Sequence, residues 1–372
     1  MSGDLASRLA ERVARHGPIS FEAFHEVALY DTEGGFYASG GQAGRRGDFL
    51  TSPEVGPLFG AVVARALDTW WDGLGRPDPF VVVDAGAGPG SLARAVLAAK
   101  PVCAGALRYV LVERSTAQRA QHAEGLPLAP PVQAFAAPHP DDDPDPAVVA
   151  RGPLCVSLGE MPAGPFDGVV IANELLDNLP FRLLVNDGGW REAYVGVDGS
   201  RFVELLVPAT TVPRGLPQDV PLGARAPLQQ QAARWMGDAL ALVRRGRVIV
   251  FDYASSTSTM ARQPWRQWLR TYRGHERGAH YLAEPGSQDI TTEVALDQLA
   301  AVREPDAVRT QSQWLALHGI DQLVEEGRRV WQERAHLADL AAVRARSRIR
   351  EAEALTDPAG LGAFTVAEWV LG

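Results

Sequence analysis

Residues 81–93, VVVDAGAGPGSLA, leave few folds open to this chain. A β-branched run too short for a helix ends in Asp84 and passes at once into a glycine-rich turn and an apolar helical pattern. Such a run suits a parallel strand buried on both faces. RYVLVE (108–113), PLCVSL (153–158), FDGVVIAN (166–173) and RVIVFDYA (247–254) repeat it, and AFTVAEWVLG closes the chain as a last strand. Between the first runs lie SLARAVLAA and STAQRAQHAEG, which read as helices, the second capped by Ser115. Strand–helix alternation of this kind predicts a doubly wound α/β sheet.

Around this core the pattern is less regular. Residues 4–15 and 20–29 read as helices, the second capped by Ser20, and a further helix over about 56–71 turns Leu58, Phe59, Val62, Val63, Ala66 and Leu67 to one side. Residues 31–53 read as loop, 126–153 with DDDPD as a Pro-rich surface loop, and 208–227 as irregular. FRLLV and REAYVGV predict a β-pair around NDGG. Helices are expected at 228–245, 293–303 and 321–355. The stretch 255–290, rich in Arg, Trp and Gly, is too long for a plain connection and suits a lid or binding loop. The predicted division is a helical front at 1–75, a core at 76–254 with an insertion near 181–227, a lid at 255–320 and a C-terminal helix and strand at 321–372.

Composition narrows the function classes. The 372 residues are 46% hydrophobic and 22% charged, an ordinary globular balance. A formal net charge of -9 disfavours bulk binding to nucleic acid or anionic membranes. Cys103 and Cys155 give neither a disulfide framework nor a paired metal site, so a reducing cytoplasm is the expected setting and no metal is expected. The start, MSGDLASRLAERVARHG, is charged and helical rather than a signal, and no run of 18 apolar residues would span a membrane.

The glycine turn fits two ligand classes. Gly86, Gly88 and Gly90 form G-x-G-x-G after Asp84, as in S-adenosylmethionine enzymes; Gly88, Gly90 and Ala93 form the G-x-G-x-x-A of dinucleotide enzymes. Asp84, before the turn, suits a ligand with positive groups, and Glu113, at the next strand end, suits ribose hydroxyls in either class. IANELLDNLPF (171–181) separates them. Ligands in open α/β sheets lie beyond the carboxyl ends of strands, so Asn173, Glu174 and Asp177 are expected beside the cofactor. An amide and two carboxylates suit binding and deprotonating a nitrogen nucleophile. The plainer alternative is a helix start, with Asn173 as N-cap and Asp177 solvated.

Several stretches occur in order: RRGDFLTSPEVGPLFG (45–60), DAGAGPGSLA (84–93), YVLVERSTAQRAQ (109–121), IANELLDNLPF (171–181), VFDYA (250–254), TYRGH (271–275), PGSQDIT (285–291) and LTDPAGLGAF (355–364). With them the chain resembles the MidA-like family of class I S-adenosylmethionine-dependent methyltransferases, over nearly its whole length. That family includes an arginine methyltransferase of mitochondrial complex I assembly. The resemblance implies a Rossmann-like, mostly parallel seven-stranded sheet with helices on both faces, a helical N-terminal extension and a large insertion before the last strand. It implies S-adenosylmethionine as cofactor, contacted by Gly86, Gly88, Gly90 and Glu113, with Thr51, Ser52, Pro53 and Glu54 nearby. The expected partner is a methyl acceptor, a protein arginine or a small molecule; a homodimer is allowed, and an assembly factor without turnover is the alternative to an enzyme.

Glu174 and Asp177 are the expected proton-handling pair, Asn173 orients the acceptor, and His275 in YRGH is a second candidate base. Trp265, Trp268, Tyr272 and Tyr281 either wall a dry pocket or pack a helix. Three departures from the family pattern weaken transfer of its acceptor. Leu175, Leu176 and Asn178 replace Phe, Phe and Ala; Glu293, Ala295 and Leu296 replace His, Asp and Phe; and the 126–150 loop diverges.

Overall fold

Seven strands form one sheet: Phe80–Ala85 (β1), Leu107–Val112 (β2), Leu154–Leu158 (β3), Phe166–Asn173 (β4), Val243–Asp252 (β5), Ala307–Thr310 (β6) and Thr365–Leu371 (β7). In the computed structural model, which describes residues 4–38, 51–135, 151–274, 276–337 and 339–372, they lie in the order β6-β7-β5-β4-β1-β2-β3. β1 runs parallel to β2 and β4, β2 to β3, and β4 to β5, while β6 and β7 are antiparallel. This is the mostly parallel seven-stranded sheet that the resemblance implies, although Ala307–Thr310 lies in the stretch expected to form the lid. Every residue of β1 and β2 is buried, as a run covered on both faces requires. The order reverses at β1, with β2 on one side and β4 on the other. The glycine turn therefore leaves the sheet at its topological switch point, the usual ligand position in such sheets.

The chain forms two compact units, each discontinuous in sequence. The sheet unit is Leu50–Asn173, Ala239–Phe251 and Pro305–Gly372; the inserted unit is Met1–Phe49, Glu174–Asp238 and Asp252–Glu304. These boundaries correct the division expected from the sequence. Residues 51–75 and 305–320 belong to the sheet unit, because the helices Pro57–Gly73 and Gln311–Leu317 bury Phe59 and Trp314 in its core, where Phe251 meets both rings edge-on at 5.5 and 4.9 Å. The segment near 181–227 belongs to the inserted unit.

The inserted unit is mainly antiparallel. Arg182–Asn186 and Trp190–Asp198 pair as expected, and Arg201–Pro208, Ile19–Ser20 and Arg225–Leu228 complete five strands. The last of these lies in the stretch read as irregular. The stretch read as a long loop holds the helix Thr257–Arg262 and a three-stranded sheet of Leu269–Arg273, Glu276–Arg277 and Asp289–Thr292. Trp265 and Trp268 are not on a helix: a single turn, Trp265–Gln267, leads into a strand. Helices at the front, Leu5–His16 and Phe21–Tyr30, fall where expected, and Ser20 accepts the Ala23 N–H at 3.1 Å. The helix expected over 293–303 shortens to Leu296–Ala300. The DDDPD segment lies outside the described residues.

Close packing in the sheet unit is set at Gly60, on the helix Pro57–Gly73. A Cβ there would stand 2.3 Å from the Cβ of Ala95, on the helix Ser91–Ala98. Gly73 of the same helix has open space. Gly60→Ala is expected to destabilise by roughly 1–3 kcal/mol, and Gly73→Ala to be neutral or stabilising by up to about 1 kcal/mol. Denaturant unfolding of the two variants checks the difference.

Candidate active site

Gly86, Gly88 and Gly90 all take positive φ, at 71°, 53° and 85°, which L side chains rarely adopt. All three members of the G-x-G-x-G register are thus needed by the backbone. Gly90 also caps the helix Ser91–Ala98. The carboxylate of Glu113, just past β2, accepts the Gly88 N–H at 2.9 Å and the Ser115 N–H at 2.6 Å, and burial raises its pKa.

His122 holds the turn, and the sequence reading passed over it. It is fully buried, with Nε2 2.8 Å from the Gly88 carbonyl and Nδ1 2.8 Å from Ser157 Oγ. A carbonyl only accepts, so Nε2 carries the proton and Nδ1 accepts from Ser157. Burial lowers the pKa, as do the charges of Arg94 and Arg119, and the ring is neutral. Arg94 donates to the Pro89 carbonyl at 2.6 Å. The only sequence signal was a histidine in a predicted amphipathic helix, which marks no function by itself.

The described end of the GDFLTSPE stretch reaches the same helix start. Glu54 accepts a hydrogen bond from Ser91 Oγ, and Ser52, buried, donates to Gln311 at 2.9 Å. Thr51 precedes the short helix Ser52–Val55 and Pro53 lies in its first turn. Asp84 is placed differently from expectation. Its carboxyl is 2% exposed and accepts from Tyr109 Oη at 3.1 Å, because it points into the buried strand layer. It is not an open counter-charge. Burial, with the Glu113 charge adding to it, pushes its pKa up to about 7.

In the inserted unit, Glu174 follows β4 directly with φ 51°, a left-handed conformation uncommon outside glycine. The N-cap alternative for Asn173 fails: only the single turn Leu176–Asn178 follows, and Leu175 stands at its start. Nor is Asp177 solvated; it is 5% exposed. Thr291 donates to its Oδ2 at 2.6 Å, and Oδ1 has no hydrogen-bond partner among the described residues. Asp252, at the end of β5, accepts the Leu176 and Asp177 N–H groups on Oδ2 at 3.1 and 3.3 Å and the Tyr253 N–H on Oδ1 at 2.8 Å. Asp289 accepts from Asn178 at 3.0 Å and Tyr37 at 3.4 Å.

Three buried carboxyls therefore gather around one turn. Burial raises all three pKa values, Asp177 to about 6; the Asp177 charge adds to it at Asp289, raised to about 7, and, with Glu174, at Asp252, raised well above the usual range. Of the three, the sequence singled out only Asp177, since Asp252 read as an ordinary strand residue and Asp289 as part of the long 255–290 stretch. His275 lies outside the described residues. Trp268 and Tyr281 do not wall a pocket; they are core residues, 0% and 1% exposed, with Tyr281 edge-on to Phe21 and Trp265. Tyr272 stacks under Arg277.

A family model for S-adenosyl-L-methionine-dependent methyltransferases matches residues 62–312. The chain belongs to this family. Among the relatives of this methyltransferase, a fruit fly (Drosophila melanogaster) protein named protein arginine methyltransferase NDUFAF7 homolog, mitochondrial, is 29% identical, covering 78% of this chain and 68% of its own. The zebrafish (Danio rerio) protein arginine methyltransferase NDUFAF7, mitochondrial, is 26% identical, covering 85% and 77%. A COG1565 superfamily member from Burkholderia thailandensis, solved bound to S-adenosyl-homocysteine, superposes with a TM-score of 0.79 at 26% identity, covering 98% and 91%. S-adenosylmethionine is the cofactor, and the positive-φ cradle with Glu113 beside it fits that group. The expected cytoplasmic location does not stand, because the fly and zebrafish relatives are named mitochondrial proteins.

Two outcomes follow for the methyltransferase. Asp84 has a native pKa of about 7 against 3.8 in the unfolded chain, so the folded state holds its proton longer. The stability this gives is full below the unfolded value and is lost as pH rises through about 7. Asp84→Asn keeps an acceptor for Tyr109 and is expected to raise the melting temperature at about pH 8 by more than at about pH 5, as calorimetry at both would show. His122→Phe leaves the Gly88 carbonyl without its donor; affinity for S-adenosyl-homocysteine is expected to fall by roughly 1–2 kcal/mol in titration calorimetry.

Proposed function

We propose that this methyltransferase places a methyl group on a guanidinium nitrogen of a protein arginine. The observation that carries the reading is the set of buried carboxyls around the turn after β4. Asp177, Asp252 and Asp289 crowd there, beside Glu174, and Asp177 keeps one oxygen without a partner among the described residues. Such a site favours a cation with several N–H donors, and a guanidinium presents five in a planar fork. The names of the fly and zebrafish relatives point the same way.

S-adenosylmethionine, when bound, supplies a methyl group already activated by its sulfonium. Gly86, Gly88 and Gly90 take the cofactor against the backbone, Glu113 accepts its ribose hydroxyls, and Thr51, Ser52, Pro53 and Glu54 border it. Asn173 orients the acceptor through its side-chain carbonyl. A guanidinium with a pKa above about 12 must lose a proton as its nitrogen attacks, and Glu174 and Asp177 orient it and take that proton. Asp177, shifted to about 6, holds a carboxylate of raised basicity at neutral pH. The main contribution of the chain is placement, which in general accounts for a large share of rate when reacting atoms are held at about 3–3.5 Å.

Labelled S-adenosylmethionine, incubated with the enzyme and a cell extract, is expected to mark arginine in protein. Glu174→Gln is expected to cut that incorporation by about 100-fold or more while S-adenosyl-homocysteine still binds. Label on small molecules alone, or on arginine at an unchanged rate in the variant, would sink the reading.

A further inference from the structure

Arg270 is a guanidinium that the chain itself places among these acceptor groups. It stands in the strand Leu269–Arg273, with its Cζ 5.3 Å from the ring centre of Tyr253. Nη2 donates to Glu293 Oε1 at 2.9 Å, and Nε donates to the Gln267 carbonyl at 2.6 Å. Tyr253 follows Asp252 directly, and its hydroxyl feels the charges of Glu174 and Asp177; Asp177 in turn feels Arg270. Ring, carboxylates and guanidinium thus share one region of the inserted unit.

We propose that Arg270 is an internal occupant of the acceptor subsite, seated on Tyr253 until an acceptor guanidinium displaces it, with Glu293 as the counter-ion that it keeps when displaced. This rests on the guanidinium reading above. Three features fit an occupant that can leave. Both partners of the Arg270–Glu293 pair keep about a fifth of their side chains exposed, at 20% and 19%. Nη1 has no hydrogen bond among the described residues. The exchange is like for like: an incoming guanidinium regains the ring face and the carboxylate field, while Arg270 keeps Glu293. An uncompensated cluster of buried carboxylates is costly, so an empty subsite favours a resident cation. Glu293, one of the departures from the family pattern, gains a role here as the group that pulls Arg270 aside.

Occupancy by Arg270 lowers apparent affinity by the fraction of molecules in which the subsite is free. The test is calorimetric titration of methylguanidinium into the full chain saturated with S-adenosyl-homocysteine. Arg270→Met keeps the apolar stem and is expected to bind the probe about tenfold more tightly than the parent, with Arg270→Lys between them. Asp177→Asn added to Arg270→Met is expected to remove the gain. Glu293→Gln is expected to move affinity the other way, since Arg270 then has only the subsite to satisfy it, and it serves if Arg270→Met does not fold. Equal or weaker binding in Arg270→Met, together with unchanged binding in Glu293→Gln, would overturn the proposal. If arginine is labelled in the extract experiment and these shifts are absent, the occupant idea alone fails. If label goes elsewhere, the acceptor reading fails instead.

Discussion

The carboxyl cluster after β4 depends on one acid that is buried with no ion pair among the described residues. Asp252 is 1% exposed, and what holds it is three backbone N–H groups, those of Leu176, Asp177 and Tyr253. The segment after β4 makes only a single turn and cannot satisfy these donors by itself. Their hydrogen bonds also favour the ionised acid, against burial and the repulsion of Asp177 and Glu174. Turn and carboxyl therefore require each other. Removing either leaves buried donors or a buried acid unmatched, a loss of the size that disrupts local structure. The left-handed Glu174 persists because the residues after it are fixed in this way.

The cofactor side uses a different device. A turn with three positive-φ residues is soft, since glycine loses more freedom on ordering than any other residue. Here it is bound from two sides, by the Glu113 carboxylate at the Gly88 N–H and by the neutral His122 ring at the Gly88 carbonyl. Ser157, in β3, fixes the histidine tautomer. One residue of the loop, Gly88, thus has its backbone donor and acceptor both satisfied by side chains. That pre-orders the loop before any ligand arrives and reduces the entropy that binding must overcome.

Much of this was legible beforehand, for reasons that differ by element. The buried strands announce themselves as continuous β-branched runs; the register of the glycines is read from the neighbouring IANELLDNLPF and GDFLTSPE stretches, and the positive φ of Gly86, Gly88 and Gly90 agrees with it. The strand Arg225–Leu228 was missed because its backbone pairing carries no local signal: Pro227 sits within it and Pro221 and Gly223 precede it. The small sheet around Leu269–Arg273 was taken for loop because its strands are two to five residues long and rich in arginine. Asp84 was assigned by type and position. Only the structure shows Tyr109, two residues before its register partner Leu111, rising on the same face to meet it. Asp252 and Asp289 were unremarkable because burial and backbone donors, not sequence, make them chemical.

The chain passes from the sheet unit to the inserted unit directly after β4 and again before the last residue of β5. Glu174 and Asp252 are therefore the first residues of the inserted unit at the ends of two neighbouring strands, paired Phe251 to Asn173 in register. A residue in that place has little conformational freedom, because the sheet fixes the backbone one bond earlier. The rest of the inserted unit carries no such constraint. The contacts that fix the glycine turn lie within the sheet unit. The glycine turn and the carboxyl cluster are thus carried by different segments of the sequence, Leu50–Asn173 for the first and Glu174–Asp238 with Asp252–Glu304 for the second.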